Sequence, residues 1–212
     1  MKKFIMAIVA SAALLFTGTI PKQEQDVEVQ EVDTEVSVFS RHVFRGAGGP
    51  DAVSIQPSAT LPVESNIGTT SVNIWGQIPI TGDDVEYDFS VSQQVGDYGS
   101  IGVTSYFYGG PLLESDSHEI EVGVSGNYAG VDLFVGRFVS GDRVKDDTYL
   151  ELGYELDGIG LAVGLGDGAY TTDGKFGLVN VGLSTANDDG YGAALIYNPD
   201  SEATFFVVSK SW

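Results

Sequence analysis

Six carboxylates stand where they could act together. Glu86 and Asp88, and Glu119 and Glu121, form pairs spaced two residues apart, and Glu151 and Glu155 are spaced four apart. Each pair alternates with apolar residues: Val85, Tyr87, Phe89 and Val91; Ile120, Val122 and Val124; Leu150, Leu152, Tyr154 and Leu156. In an extended chain a period of two puts the acids on one face and the apolar side chains on the other. Acids gathered around a narrow wet space of reduced dielectric attract cations and repel anions. The alternative is that Arg41, Arg45 and Arg137 pair with the acids and plug that space, as side chains fill small barrels. Arg41 and Arg45 share a face with Ser37, although Phe39 and Val43 spoil a clean alternation there. Arg137 has the parity of Val135 and Val139, the apolar side of its segment.

Other chemistry is poorly supplied. The chain has two histidines, His42 and His118, no cysteine and no G-x-S-x-G. Two histidines alone do not make a usual zinc site, and a nucleophile needs a histidine held beside it. Neither a cofactor nor a metal is expected. The loop acids, Asp83, Glu114, Asp142, Asp173 and Asp200 among them, lack EF-hand spacing and read as a solvated acidic face.

The elements that must position the six acids are short strands. Glycine is abundant at 28 residues and aromatics make up 11% of the chain, which favours β structure over helix. Twelve alternating segments are expected, centred near residues 40, 57, 75, 89, 103, 123, 135, 152, 162, 180, 194 and 207, with ten or fourteen as alternative counts. Odd connections are expected at 46–51, 81–84, 109–118, 140–147, 167–174 and 198–202. Even ones are expected near 64–69, 95–98, 127–130, 157 and 187–189. The odd set holds the longest segments, although 81–84 is short and 64–69 is not. Long loops at one end and tight turns at the other are the pattern of a transmembrane barrel, and an even strand number fits it. A soluble sandwich also alternates. Here, however, the polar faces carry Gly, Ser and acids rather than Lys, Thr and Arg, as for a crowded wet lumen. Phe44, Tyr87, Tyr98, Tyr128, Tyr154, Tyr191, Tyr197 and Trp212 fall near segment ends, where interfacial girdles form. The expected fold class is all-β, a closed antiparallel transmembrane β-barrel over residues 34–212.

The first residues bear on compartment. Met1-Lys2-Lys3 precedes an apolar run from Phe4 to Phe16, then small polar residues. That is the layout of a secretory signal peptide, expected over 1–19. An acidic lead-in is expected over 20–33. No later run reaches the ~18 apolar residues of a spanning helix. The net charge of −20 argues against nucleic acid as a partner.

The last strand, Phe205 to Trp212, ends on an indole. It resembles the terminal strand of bacterial outer-membrane barrels, which implies recognition by the barrel-assembly machinery through Phe206, Val208 and Trp212. Ser40 to Gly46, SRHVFRG, resembles the first strand of the TorF-like porin family, typically close to S-x-Y-V-F-R-G, and the ending S-K-S-aromatic is similar to that family's. His42 departs from the usual Tyr, and Trp212 from the commoner Phe. The resemblance implies the bacterial outer membrane, contact with its lipid and lipopolysaccharide, and a porin-like passive channel for small hydrophilic solutes. Two alternatives stay open: a non-conducting surface barrel acting through its loops and, remotely, an outer-membrane lipid hydrolase.

Overall fold

The computed structural model describes residues 28–49, 51–81, 85–109, 118–141 and 144–212. The signal segment expected over 1–19 and several loop acids (Asp83, Asp84, Glu114, Asp116 and Asp142) lie outside these residues. Among them are fifteen strands. Four are at the start: β1 (Glu28–Val29), β2 (Asp33–Phe39), β3 (Val43–Phe44) and β4 (Ala47–Gly48). Then follow β5 (Ser54–Ser65), β6 (Gly68–Pro79), β7 (Glu86–Val95), β8 (Gly99–Tyr108), β9 (His118–Tyr128) and β10 (Val131–Ser140). The last five are β11 (Thr148–Leu156), β12 (Ile159–Gly168), β13 (Gly174–Ala186), β14 (Tyr191–Asn198) and β15 (Ala203–Ser211). Strands β2 and β5 to β15 form a closed antiparallel barrel of 12 strands, because β5 pairs with both β2 and β6 while β15 returns to β2.

The seam is short. Ser209, Lys210 and Ser211 lie opposite Phe39, Val38 and Ser37. Trp212 and Val36 then exchange both backbone hydrogen bonds, at 3.0 and 3.3 Å, and Ser40 N–H donates to the Val208 carbonyl at 2.9 Å. Trp212 therefore closes the barrel through its backbone. Closure leaves no open edge, so every ladder finds a partner without water.

Local chemistry sets the turns. Strands β9 and β10 join through Ala129 and Gly130, at φ 52° and 82°; β11 and β12 join through Asp157 and Gly158, at φ 50° and 78°. Two central residues with positive φ make a type I′ turn, whose twist matches that of the flanking strands. The connection expected to be long, 64–69, is also tight: β5 runs to Ser65, β6 starts at Gly68, and Ser65 Oγ accepts from Ile67 N–H at 3.3 Å. The strand ends that flank the longer connections, Pro79 and Glu86, Tyr108 and His118, Ser140 and Thr148, and Gly168 and Gly174, lie at the opposite end. We call the two ends the turn end and the loop end.

Burial is inverted relative to a water-soluble domain. Val124, Leu152, Leu183 and Leu195 are 52%, 43%, 46% and 47% exposed, whereas Gln77, Glu121 and Tyr149 are 2%, 3% and 1% exposed. Aliphatic side chains face out on most strands, while the lumen side carries polar and small residues together with a few rings such as Tyr106, Phe138 and Tyr149. An outer surface of this kind suggests an outer-membrane barrel. Within it, Leu61, Val63 and Val72 pack as a buried cluster with Phe89 and Val91. Exposed aromatics form two bands: Tyr98, Tyr128, Tyr154, Tyr191 and Trp212 toward the turn end, and Tyr87, Phe176 and Tyr197 toward the loop end.

Three expectations are corrected. SRHVFRG is not barrel strand: β2 stops at Phe39, and residues 40–49 turn inward as the small hairpin β3–β4. Arg45 and Gly46 at its tip have φ 51° and 82°, which no continuing strand can hold. Phe44 consequently leaves the girdle and packs inside, edge-on to Tyr106 at 5.9 Å. The lead-in at 20–33 also reaches the barrel, since Glu28 and Val29 pair with Glu64 and Val63 before β2 begins at Asp33.

Candidate functional site

The inner hairpin places one cation in the middle of the lumen. Val43–Phe44 pairs with Ala47–Gly48 across the Arg45-Gly46 turn, so Arg45 projects from the tip. A Cβ on Gly46 would lie 2.0 Å from the Val179 carbonyl oxygen on β13. Asn198 Nδ2 donates to the Gly46 carbonyl at 3.2 Å. The tip therefore abuts the far wall, and only glycine permits both the φ and the approach.

Arg45 is clamped there. Its Nη1 and Nη2 donate to the two oxygens of Glu121 at 2.6 and 2.8 Å, the bidentate fork that guanidinium and carboxylate favour. Nη1 also donates to the Tyr170 hydroxyl at 2.6 Å. The guanidinium lies 4.6 Å from the ring centres of Phe44 and Tyr149 and 4.9 Å from that of Phe134. Such cation–π contacts strengthen where water is excluded, to about 2 kcal/mol or more. Tyr106 Oη donates to Glu121 Oε2 at 2.8 Å and packs on Phe138 at 5.5 Å. Tyr170 lies in the connection between β12 and β13. Burial pushes its hydroxyl up to about 12, so the neutral phenol faces Arg45.

The wall is thinned to admit this layer. A Cβ on Gly136 would meet Glu121 Oε1 at 2.2 Å, and one on Gly164 would meet the Tyr149 hydroxyl at 2.2 Å. The lumen-facing glycines are thus the counterparts of the large residues opposite them.

The clamp divides the lumen. On the loop-end side is a cavity of about 600 Å³ touching Phe44, Gln77, Glu86, Glu119 and Tyr170. On the other side, about 260 Å³ borders Arg45, Ser90, Ser100, Thr104 and Glu121, and about 380 Å³ borders Ser125, Asp132, Glu151 and Gly153.

The expected acids separate into different roles. Glu121 is the partner of Arg45. Glu86 and Glu119 line the loop-end cavity, and Glu86 Oε2 is 3.9 Å from His42 Nε2. Glu151 accepts from the Tyr149 hydroxyl at 2.5 Å and from Asn180 Nδ2 at 3.1 Å, and it faces the turn-end space. Asp88 points inward on β7, with a buried Oδ1 that has no hydrogen-bond partner among the described residues. Glu155 is exposed near the turn end, outside the central cluster. Arg41 does not meet the six acids; it lies 4.9 Å over the Phe205 ring and 3.4 Å from Asp51. Arg137 stays outward at the loop end, with Asp146 at 3.1 Å and Thr148 at 3.2 Å. His42 is bonded to Gln56 at 3.2 Å and sits by Trp75, whereas His118 stacks on Phe107. Phe206, Val208 and Trp212 are all exposed on the outer face, and Lys210 Nζ lies 4.9 Å over the Trp212 ring.

Sequence reasoning missed the aromatic cage of Phe44, Phe134, Tyr149 and Tyr170, and the buried Gln77. The alternation held a usable signal, because Phe134, Phe138 and Tyr149 sit at polar-face positions of their strands, where an open lumen has no room for rings. No protein-family model matches this chain, and no curated protein matches it.

Proposed function

We propose that this chain is a bacterial outer-membrane protein serving as a narrow, porin-like passive channel for small hydrophilic solutes, leaning toward cations. The observation that carries the reading is the lumen: polar, lined by Glu86 and Glu119 above and by Asp132 and Glu151 below, and interrupted by one side-chain clamp. Charged rings of one sign select permeating ions by sign. Arg45 pairs with Glu121 at the narrowest layer, and the other four acids border the two vestibules. The outer apolar belt between two aromatic bands supports a place in lipid, with lipopolysaccharide around the loop end. The outward Trp212 on the last strand supports a role as the signal read by the assembly machinery. The TorF-like C-terminal ending supports this reading, whereas SRHVFRG forms the inner hairpin rather than a first barrel strand; residues 1–19 serve as the export signal.

The test is conductance of the purified protein in a planar bilayer, with the reversal potential read across a KCl gradient. Small, cation-preferring unit currents are expected. Silence at all voltages would replace the channel with the second reading, a closed surface barrel acting through its loops, which the filled centre of the lumen favours. Anion preference would remove the role assigned to the vestibule acids.

A further inference from the structure

The two ends of the lumen are lined differently. The turn-end spaces are walled by hydroxyls and acids, Ser90, Ser100 and Thr104 in one and Ser125, Asp132 and Glu151 in the other. The loop-end cavity is larger, at about 600 Å³, and its wall is mostly apolar. Its rings come from three separate elements: Phe44 from β3, Tyr108 from the end of β8, and Tyr170 from the connection between β12 and β13. Ala47, Val144 and Ala169 add aliphatic surface. Phe44, Tyr108, Val144 and Tyr170 are half-buried, and Ala47 and Ala169 are exposed, so each keeps surface that a ligand can touch.

Two of the rings are held before any ligand arrives. Phe44 stands edge-on to Tyr106 at 5.9 Å, and Tyr170 packs on Tyr149 at 5.2 Å while its hydroxyl accepts from Arg45. Rings fixed in advance cost little further ordering on binding. The acids at the edge of the cavity are occupied. Glu86 and Glu119 both carry interactions of their own, and Glu86 Oε2 lies 3.9 Å from His42 Nε2. No Lys or Arg is among the described residues that line the cavity. A charged ligand would leave water without a free counter-charge to meet it, which is costly. A space of this size in the mouth of a barrel, lined by aromatic and aliphatic side chains, has the general character of a small-molecule site, roughly 300–1,000 Å³. Passage of hydrophilic solutes alone would be served by a wall like that of the turn end.

We propose that the loop-end cavity is a binding site for a small neutral aromatic compound of one or two fused rings. Its flat ring lies among Phe44, Tyr108 and Tyr170, in the offset or edge-on arrangements that aromatic rings prefer. Ala47 and Ala169 leave room for its width. The site goes beyond the channel reading and does not depend on it, because the cavity lies on the loop-end side of the Arg45 clamp and its occupancy is measured without any current.

The experiment is calorimetric titration of the full chain, folded in detergent, with indole, indole-3-carboxylate and glucose. Partitioning into micelles does not saturate, so saturable heat is the readout. Indole should bind saturably, indole-3-carboxylate at least about tenfold more weakly, and glucose not measurably. Ala47→Trp and Ala169→Trp fill the cavity from the hairpin and from the β12–β13 connection. Each should weaken indole binding by about tenfold or more. No saturable heat with indole, binding of glucose or indole-3-carboxylate as tight as that of indole, or unchanged indole affinity in the filled variants would each overturn the proposal. If one filled variant fails to fold, the other and the ranking of the three ligands on the native chain still decide. Binding without conductance would sink the channel and leave the site standing; conductance without binding would do the reverse.

Discussion

Replacing Arg45 with Met tests whether the clamp closes the lumen. In the native barrel the Arg45 and Glu121 side chains are 11% and 3% exposed and are joined by two hydrogen bonds of 2.6 and 2.8 Å. Removing one member of such a buried pair costs about 3–5 kcal/mol, because the remaining carboxylate is left in a low-dielectric space. The Tyr106 hydroxyl still donates to Glu121 and offsets part of that. The cation–π contacts with Phe44, Phe134 and Tyr149 are lost as well, although the methionine stem keeps some of the packing. Taking ~3 kcal/mol as the net loss, the ratio of withdrawn to seated hairpin rises about a hundredfold. In planar bilayers Arg45→Met should therefore show larger or far more frequent openings than the native chain. The double variant Arg45→Met/Glu121→Gln leaves no bare carboxylate. It should regain part of the closed behaviour and deviate from additivity by at least about 1 kcal/mol. Identical unit conductance and open probability in the native chain and Arg45→Met would refute the clamp as the barrier. Strict additivity in the double variant would refute the ion pair as its cause.

Three further outcomes are expected. Gly46→Ala should unseat the hairpin, since its Cβ would stand 2.0 Å from the Val179 carbonyl at φ 82°; the cost of about 1–3 kcal/mol should appear as faster proteolysis within 40–49 while the barrel keeps its β signal. Glu119→Gln should lower cation preference modestly, whereas Glu121→Gln should shift the reversal potential further toward anions by freeing the positive charge of Arg45 at the narrowest layer; equal shifts in the two variants would contradict the division of the lumen. Trp212→Ala removes a 68% exposed indole but not the backbone bonds to Val36, so insertion into lipid vesicles should slow while the strand count by infrared or NMR is unchanged.

How much of this was legible in the chain depends on the range of the interaction concerned. Strand number, antiparallel order and most inward or outward assignments follow from a period of two interrupted by turn residues. Both are local properties, and a slip of one residue in register would send a whole apolar face into the lumen. Asp157-Gly158 marks its own turn, and Glu119 and Glu121 alternate with Ile120 and Val122 whatever lies across the barrel. The outward parity of Trp212 and its partnership with the first strand were also readable, because closure of an even sheet leaves those two edges to meet.

Residues 40–49 were different. Their apolar and aromatic content passes for strand, and the positive φ of Arg45 is not written in the type of residue. The reason they turn inward lies 76 positions along the chain, in Glu121, and farther still in Val179 and Asn198. Desolvation requires Arg45 to find a carboxylate, and only the closed barrel brings one within reach. Composition and alternation thus determine that there is a barrel with an acidic lumen. The tertiary structure decides that the lumen is divided, where the buried Arg45 cation sits, and that Gln77 Nε2 is buried beside the loop-end cavity with no partner among the described residues.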